Sequence, residues 1–220
     1  GCTRKNSSHG TVHVDLPRFT GAKLAMKRAF DILFSAVALT LLAPVFLVIA
    51  VLIKCDDGGP VFFRQQRVGR YGEPFTIHKF RTMCVDAEAK IDALIAANGG
   101  AALLFKLEDD PRITPIGKFL RKYSLDELPQ FWSVLRGGMS VVGPRPQVSR
   151  EVAEYSDVHH RRLLIKPGIT GLWQVNGRSE LSMDESIRLD LRYVENWSLV
   201  GDTTLIIKTI GVVLRSGGAW

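Results

Sequence analysis

The feature that most limits this chain is an uncharged apolar run from Ile32 to Ile53, ILFSAVALTLLAPVFLVIAVLI, in which only Ser35 and Thr40 have polar side chains. About 20 such residues cross a bilayer as a straight helix. The run is too long for a signal peptide, and no small-residue cleavage site follows it. Pro44 sits inside it, where a proline removes a helix hydrogen bond and crowds the preceding turn, so a kink or break is expected there. Both flanks are basic: Lys23, Lys27 and Arg28 precede the run, and Lys54, Arg64, Arg67 and Arg70 follow it. A spanning helix calls for a charge asymmetry between its ends, and none is present. Two arrangements therefore stand, a true span or a re-entrant helix that breaks at Pro44 and returns. A fully buried core helix comes third, because so long an uncharged run exceeds what most cores require. Backbone groups freed at a break in lipid need partners, and Thr40, one turn before Pro44, is placed to supply one.

The net charge of +7 and a pI near 9.5 favour acidic partners: nucleic acid, anionic lipid or phosphorylated ligands. With 46% hydrophobic and 23% charged residues, global disorder is excluded. Cys2, Cys55 and Cys84 are far apart with no CxxC, which fits unpaired thiols in a reducing compartment. The histidines have no metal-ligand spacing, and His159-His160 with Arg161-Arg162 reads as a solvated basic turn. Residues 1–22 read as a tail or linker, and the start at Gly1 leaves an upstream region open.

Beyond Lys54 the pattern is a mixture of short strands and amphipathic helices. Strands are expected over Pro60–Arg64 and Pro74–Phe80, joined by a turn at Val68–Gly72. Helices are expected over Asp86–Ala97, from Thr114-Pro115, from Leu128-Pro129 to Gly137-Gly138, over Ser182–Trp197 and over Asp202–Arg215. The last is very apolar but too short to span, which suits a core or interfacial position. Gly143-Pro144-Arg145-Pro146 and Pro167–Gly171 read as loops.

Three groups of residues have the chemistry for a site. In Ser124-Leu125-Asp126-Glu127-Leu128-Pro129, Ser124 and Glu127 make a possible capping box. Pro129 argues instead for a helix that starts near Leu128, with Asp126 and Glu127 at its mouth. Adjacent carboxylates among Arg121, Lys122 and Arg136 can hold a divalent cation while one attacks phosphorus. The second group is the arginines of the loops, Arg145, Arg178 and Arg81, the last beside Lys79. Two prolines fix where the Arg145 fork points, which suits bidentate phosphate binding. The third is the basic patch Phe63–Arg70, whose natural partner so close to an apolar run is a lipid headgroup. No GxxxxGK[ST], GxGxxG or HExxH is present, so phosphate handling falls to arginines and metal.

The order of KRAFDILFSA, the Pro-interrupted run, PVFFRQQRVGRYGEPFTIHKFRTM, DDPRITPIGKFLRKYSLDELPQFWSVLRGGMSVVGPRP, KPGITGLWQVNGR and LDLRYVENWSLVGD closely resembles the bacterial sugar transferases, the monotopic polyprenyl-phosphate phosphoglycosyl transferases. The resemblance covers roughly residues 23–220. It implies an α+β, mainly helical fold: a re-entrant membrane helix-break-helix over 23–56, then a compact catalytic domain over 57–220 with short strands and interfacial amphipathic helices. It also implies the bacterial inner membrane, with the catalytic domain on its cytoplasmic face. By motif position Asp126 would attack a UDP-sugar, release UMP and form a covalent phosphosugar. Polyprenyl phosphate would then take up the sugar-1-phosphate. Glu127 would complete the dyad and, with Asp126, hold Mg²⁺. Arg121 and Arg145, with Lys79, Arg81 and Arg178, would bind phosphate and nucleotide sugar, and Asp202 is a weaker carry-over. Anionic phospholipid is an expected partner, nucleic acid is not, and a homodimer is left open. The sequence departs from many members in having Ala43, not Ser, before Pro44. The closing segment is most similar to the catalytic part of the larger hexose-1-phosphate transferases. The competing reading is a membrane-tethered basic scaffold that binds anionic lipid or nucleic acid without catalysis. A metal-dependent phosphatase is a third.

Overall fold

The computed structural model describes residues 21–87, 89, 110–177 and 181–215. The apolar run lies within one helix, α1 (Ala22–Asp57), of 36 residues. At 1.5 Å per residue this is about 54 Å of helix. Its most apolar stretch has a mean hydropathy of 2.9 and is little buried. The expected interruption at Pro44 is not a change of secondary structure, since the helix continues through it. Proline's fixed φ is compatible with a helix, although the bond to the carbonyl four residues earlier is lost and the ring crowds the preceding turn. Thr40 does not serve that freed carbonyl; its hydroxyl donates to Ala36 O at 2.9 Å.

Both ends of α1 are seated on the globular body, and its middle is not. Near the start, Lys27, Asp31 and Ser35 form a buried polar stripe at four-residue spacing. Asp31 accepts from the Ser140 hydroxyl at 2.9 Å and the Val141 N–H at 3.0 Å. Near the far end, Ile49 and Ile53 are buried with Phe80 and Leu120. Between these seats Leu41, Val45, Leu47 and Val48 are exposed.

The hairpin β1 (Phe62–Val68) and β2 (Pro74–Phe80) is antiparallel, with Phe62 opposite Phe80 and Val68 opposite Pro74. β1 runs further than expected, to Val68, because its basic residues pair across the hairpin. The helix expected over Asp86–Ala97 lies almost wholly outside the described residues. Next come α2 (Pro115–Lys122), a 3₁₀ turn (Leu125–Glu127) and α3 (Gln130–Arg136). Thr114 caps α2 as expected, accepting from Gly117 N at 3.0 Å. Arg28 of α1 donates to Val134 O at 2.6 Å and Leu135 O at 2.7 Å, satisfying last-turn carbonyls of α3.

Two short parallel strands, β3 (Ser140–Val142) and β4 (Gly168–Thr170), were not expected. Three-residue strands carry too little periodicity to register; β4 falls within Pro167–Gly171, expected as a loop from its glycines and proline, and β3 runs into the Gly143–Pro146 loop. Gly143 and Gly168 permit the close approach: a Cβ on Gly168 would meet Gly143 N at 2.0 Å. Short helices α4 (Ser149–Val152) and α5 (Asp157–His160) lie between these strands, and α6 (Leu172–Val175) leads from β4 to α7 (Met183–Glu195) and α8 (Leu199–Arg215). A 3₁₀ turn (Arg161–Leu164) follows α5. α7 begins on a capping box, Ser182 with Glu185. The main core gathers Ile77, Val134, Met139, Val142, Tyr193 and Val194, so hairpin, α3, β3 and α7 share one interior. The result is mainly helical with a few short strands.

Candidate active site

The acidic pair sits on the 3₁₀ turn between α2 and α3, not in a capping box. Ser124 makes no capping bond and takes a left-handed conformation, φ 53° and ψ 25°. Such a backbone is uncommon for a residue with a Cβ. It turns the chain so that Leu125 and Leu128 pack into the core beside Phe80 and Leu120, leaving Asp126 and Glu127 half-buried between them. Packing thus decides which way the carboxylates face.

Three of the expected cations converge on this turn. Lys79 of β2 reaches Glu127 Oε1 at 2.7 Å. Arg145 of the Gly143–Pro146 loop has its Nη1 4.0 Å from the same oxygen and packs over the Trp173 ring at 5.7 Å. Arg121 of α2 donates to the Thr82 hydroxyl at 2.9 Å and acts electrostatically on Asp126. Burial pushes the Asp126 carboxyl upward, Glu127 beside it pushes further, and Lys79 and Arg121 pull it back. The balance leaves it at about 6. A carboxylate so placed is ionised at neutral pH yet more basic than usual, which suits a nucleophile.

Other expected ligands are elsewhere. Arg81 forms an ion pair with Asp57 and donates to Pro60 O at 2.6 Å, so its fork ties the end of α1 to the end of β2. Asp202 is fully buried, with Lys27 at 2.7 Å, the Tyr193 hydroxyl at 2.8 Å and Trp197 Nε1 at 3.0 Å. These partners make it a structural hub that anchors α1 to α8. Arg178 lies outside the described residues. Pro44 is on the exposed middle of α1.

The sequence reading missed residues that support the loop. Arg162, read as part of a solvated turn, is 3% exposed and paired with Asp190. Arg67, read as part of a lipid-facing patch, donates to Pro146 O at 3.3 Å. Neither had a local signal, although Asp190 falls on the apolar face of α7 three residues after Ile187, a spacing that marks a buried charge.

Among the described residues no three His, Cys, Asp or Glu side chains gather as a metal-binding group. Asp126 and Glu127 nevertheless suit Mg²⁺ in its usual mode, one or two carboxylates completed by substrate phosphates and water.

The sequence that builds this site has counterparts among known proteins. Residues 22–216 match the bacterial sugar transferase family. The chain belongs to that family. It is 48% identical over 197 residues to the galactosyl transferase CpsE of Streptococcus agalactiae, covering 89% of this chain and 44% of that protein. It is 41% identical to the exopolysaccharide production protein ExoY of Sinorhizobium fredii, covering 93% of this chain and 94% of ExoY. The undecaprenyl-phosphate galactose phosphotransferase of Salmonella typhimurium is 44% identical, with 89% of this chain and 42% of that protein covered. This sugar transferase family member therefore spans less than half of some relatives, where it corresponds to one part of a larger protein, and nearly all of another.

Proposed function

We propose that the chain transfers a sugar-1-phosphate, of the hexose class, from a UDP-sugar to polyprenyl phosphate through two displacements at phosphorus. In the first, an Asp126 carboxylate oxygen bonds to the β-phosphorus of the donor while the bond to UMP breaks, and UMP leaves with the electron pair. In the second, a polyprenyl phosphate oxygen attacks the same phosphorus, the Asp126 carboxylate departs, and a polyprenyl diphosphate sugar is formed. Lys79 and Arg145 stabilise the charge on the transferring phosphoryl group, and Arg121 keeps Asp126 ionised. Glu127 and Asp126 would hold Mg²⁺, which when bound neutralises charge on the diphosphate oxygens. The observation that carries this reading is the convergence of Asp126 and Glu127 with Lys79 and Arg145 from three separate segments. The name of the galactose phosphotransferase supports the acceptor class, and that of ExoY supports a role in exopolysaccharide production; the proposed place is the initiating step of exopolysaccharide, capsule, O-antigen or glycoprotein glycan synthesis.

The helix is proposed to dip into the cytoplasmic leaflet of the inner membrane and return. Both its ends pack on the same body while its apolar middle is exposed, and a helix crossing the bilayer would carry its ends to opposite faces. Basic residues at both flanks then meet anionic headgroups on one side.

The test is release of UMP from a panel of radiolabelled UDP-sugars by the purified chain with Mg²⁺ and polyprenyl phosphate, with the label followed into lipid. Label in lipid confirms transfer and names the donor. Strongly salt-dependent DNA binding without turnover would favour the basic scaffold instead, and free phosphate without a lipid product would indicate a phosphatase.

A further inference from the structure

The Gly143–Pro146 loop carries Arg145 to the acidic pair, but its two prolines have no N–H with which to tie the loop down. Gly143 N donates to Thr170 O at 2.9 Å, and beyond it the loop is held through its carbonyls. Pro144 O accepts from Gly168 N at 2.8 Å, Arg145 O from Arg162 Nη2 at 3.1 Å, Pro146 O from Arg67 Nη1 at 3.3 Å, and Gln147 O from Val68 N at 2.9 Å. Four consecutive carbonyls thus accept from three separate segments. The bond to Arg145 O differs from the others in its support. Arg162 also donates to the Tyr155 hydroxyl and is ion-paired with Asp190 of α7. Arg162 is 3% exposed and Asp190 1%, and Asp190 Oδ1 has no hydrogen-bond partner among the described residues.

A buried ion pair contributes little net stability, because desolvating both charges offsets their attraction. What it does supply is direction: a planar guanidinium held on one side by Asp190 presents its remaining N–H groups at fixed angles. One of those groups ends on the carbonyl of the residue whose side chain faces Glu127. We infer that Arg162 and Asp190 are positioning residues for the transfer reaction, with the buried pair holding the Arg145 backbone so that its guanidinium points at the donor diphosphate. The inference rests on the proposed reading of Arg145 as a phosphate ligand. Neither residue touches the reacting atoms; the pair acts through Arg145.

The experiment is a mutational cycle on the full chain in nanodiscs, read by UDP binding in a calorimeter and by kcat and KM for UMP release. Arg162→Met with Asp190→Leu replaces the pair by apolar side chains of similar size, which preserves folding but removes the donor to Arg145 O. It is expected to melt at or above the parent's temperature while binding UDP about tenfold or more weakly, with kcat/KM for the donor lowered at least in step. Arg162→Lys keeps a charge opposite Asp190 and is expected to shift UDP affinity the same way. It supplies the measurement if the double replacement does not fold. In an Arg145→Ala background the pair replacement is expected to add nothing, since its target is gone. Unchanged UDP affinity in folded variants, or an effect that multiplies with Arg145→Ala, would overturn the inference. A parent that binds UDP but releases no UMP would sink the transferase reading alone, and the binding cycle would still decide the pair. A parent that does not bind UDP removes both.

Discussion

Lys79 and Glu127 meet at 2.7 Å, joining the β-hairpin to the turn that carries Asp126. The lysine thereby holds one carboxylate and lowers the proton affinity of the other. Much of the proposed chemistry depends on this three-residue arrangement, and it can be tested one member at a time.

Asp126→Asn is expected to reduce UMP release by at least about 10³-fold, because an amide cannot form the acyl phosphate. Incubation of the parent with a labelled UDP-sugar and no acceptor should leave label covalently on the protein. The variant should leave none. Retained UMP release by a folded Asp126→Asn protein would remove Asp126 from the role of nucleophile.

The same substitution is expected to stabilise the fold above about pH 6. Asp126 is raised from 3.8 to about 6, so the folded chain holds this proton more tightly than the unfolded chain does. Stability from this group is therefore fully present below about pH 4 and is lost as pH rises through about 6. Removing the charge should recover on the order of 1–2 kcal/mol at pH 7.5. Thermal melts between about pH 4 and pH 7.5 check the sign: the variant's advantage should be small near pH 4, grow as pH rises, and level off above about 6.

Activity should run the other way. The nucleophile must be ionised, so kcat/KM is expected to rise with pH and level off above about 6. Lys79→Met removes a cation that favours the ionised form, and the acidic limb should move to higher pH by on the order of one unit. A pH–rate profile for both proteins measures this, and an unmoved limb would separate Lys79 from Asp126.

Asp202→Ala is expected to affect folding rather than donor binding. It leaves Lys27, buried beside it at 2.7 Å, without its counter-charge, at a cost of about 3–5 kcal/mol. A lower melting temperature with an unchanged KM in the surviving folded fraction is the expected result. A selective rise in KM would restore Asp202 to the ligand set.

Single cysteines placed before Lys23 and after Lys54, with Cys2, Cys55 and Cys84 replaced, should be labelled from the same side of the membrane. Labelling from opposite sides would mean a true span.

The sequence by itself determined the apolar helix, the hairpin, the capped start of α2, the amphipathic α7, and the acidic pair with its neighbouring arginines. Each is written in local spacing: an uncharged run, an alternation, a Thr-Pro start, a helical register, two adjacent carboxylates. Only the tertiary structure decided which charges serve the site. Lys79, Arg81, Arg121, Arg162 and Asp202 look alike as residues in a motif, yet Lys79 and Arg121 act on the acidic pair while Arg81 and Asp202 lock α1 and Arg162 locks the Arg145 loop. The parallel strands β3 and β4 were likewise illegible, being three residues each and paired across 28 positions from Ser140 to Gly168. A charged side chain takes its role from its partner and its burial, and both are set by segments distant in the chain. Local pattern therefore shows where acidic and basic residues are offered, and long-range packing selects which of them come together.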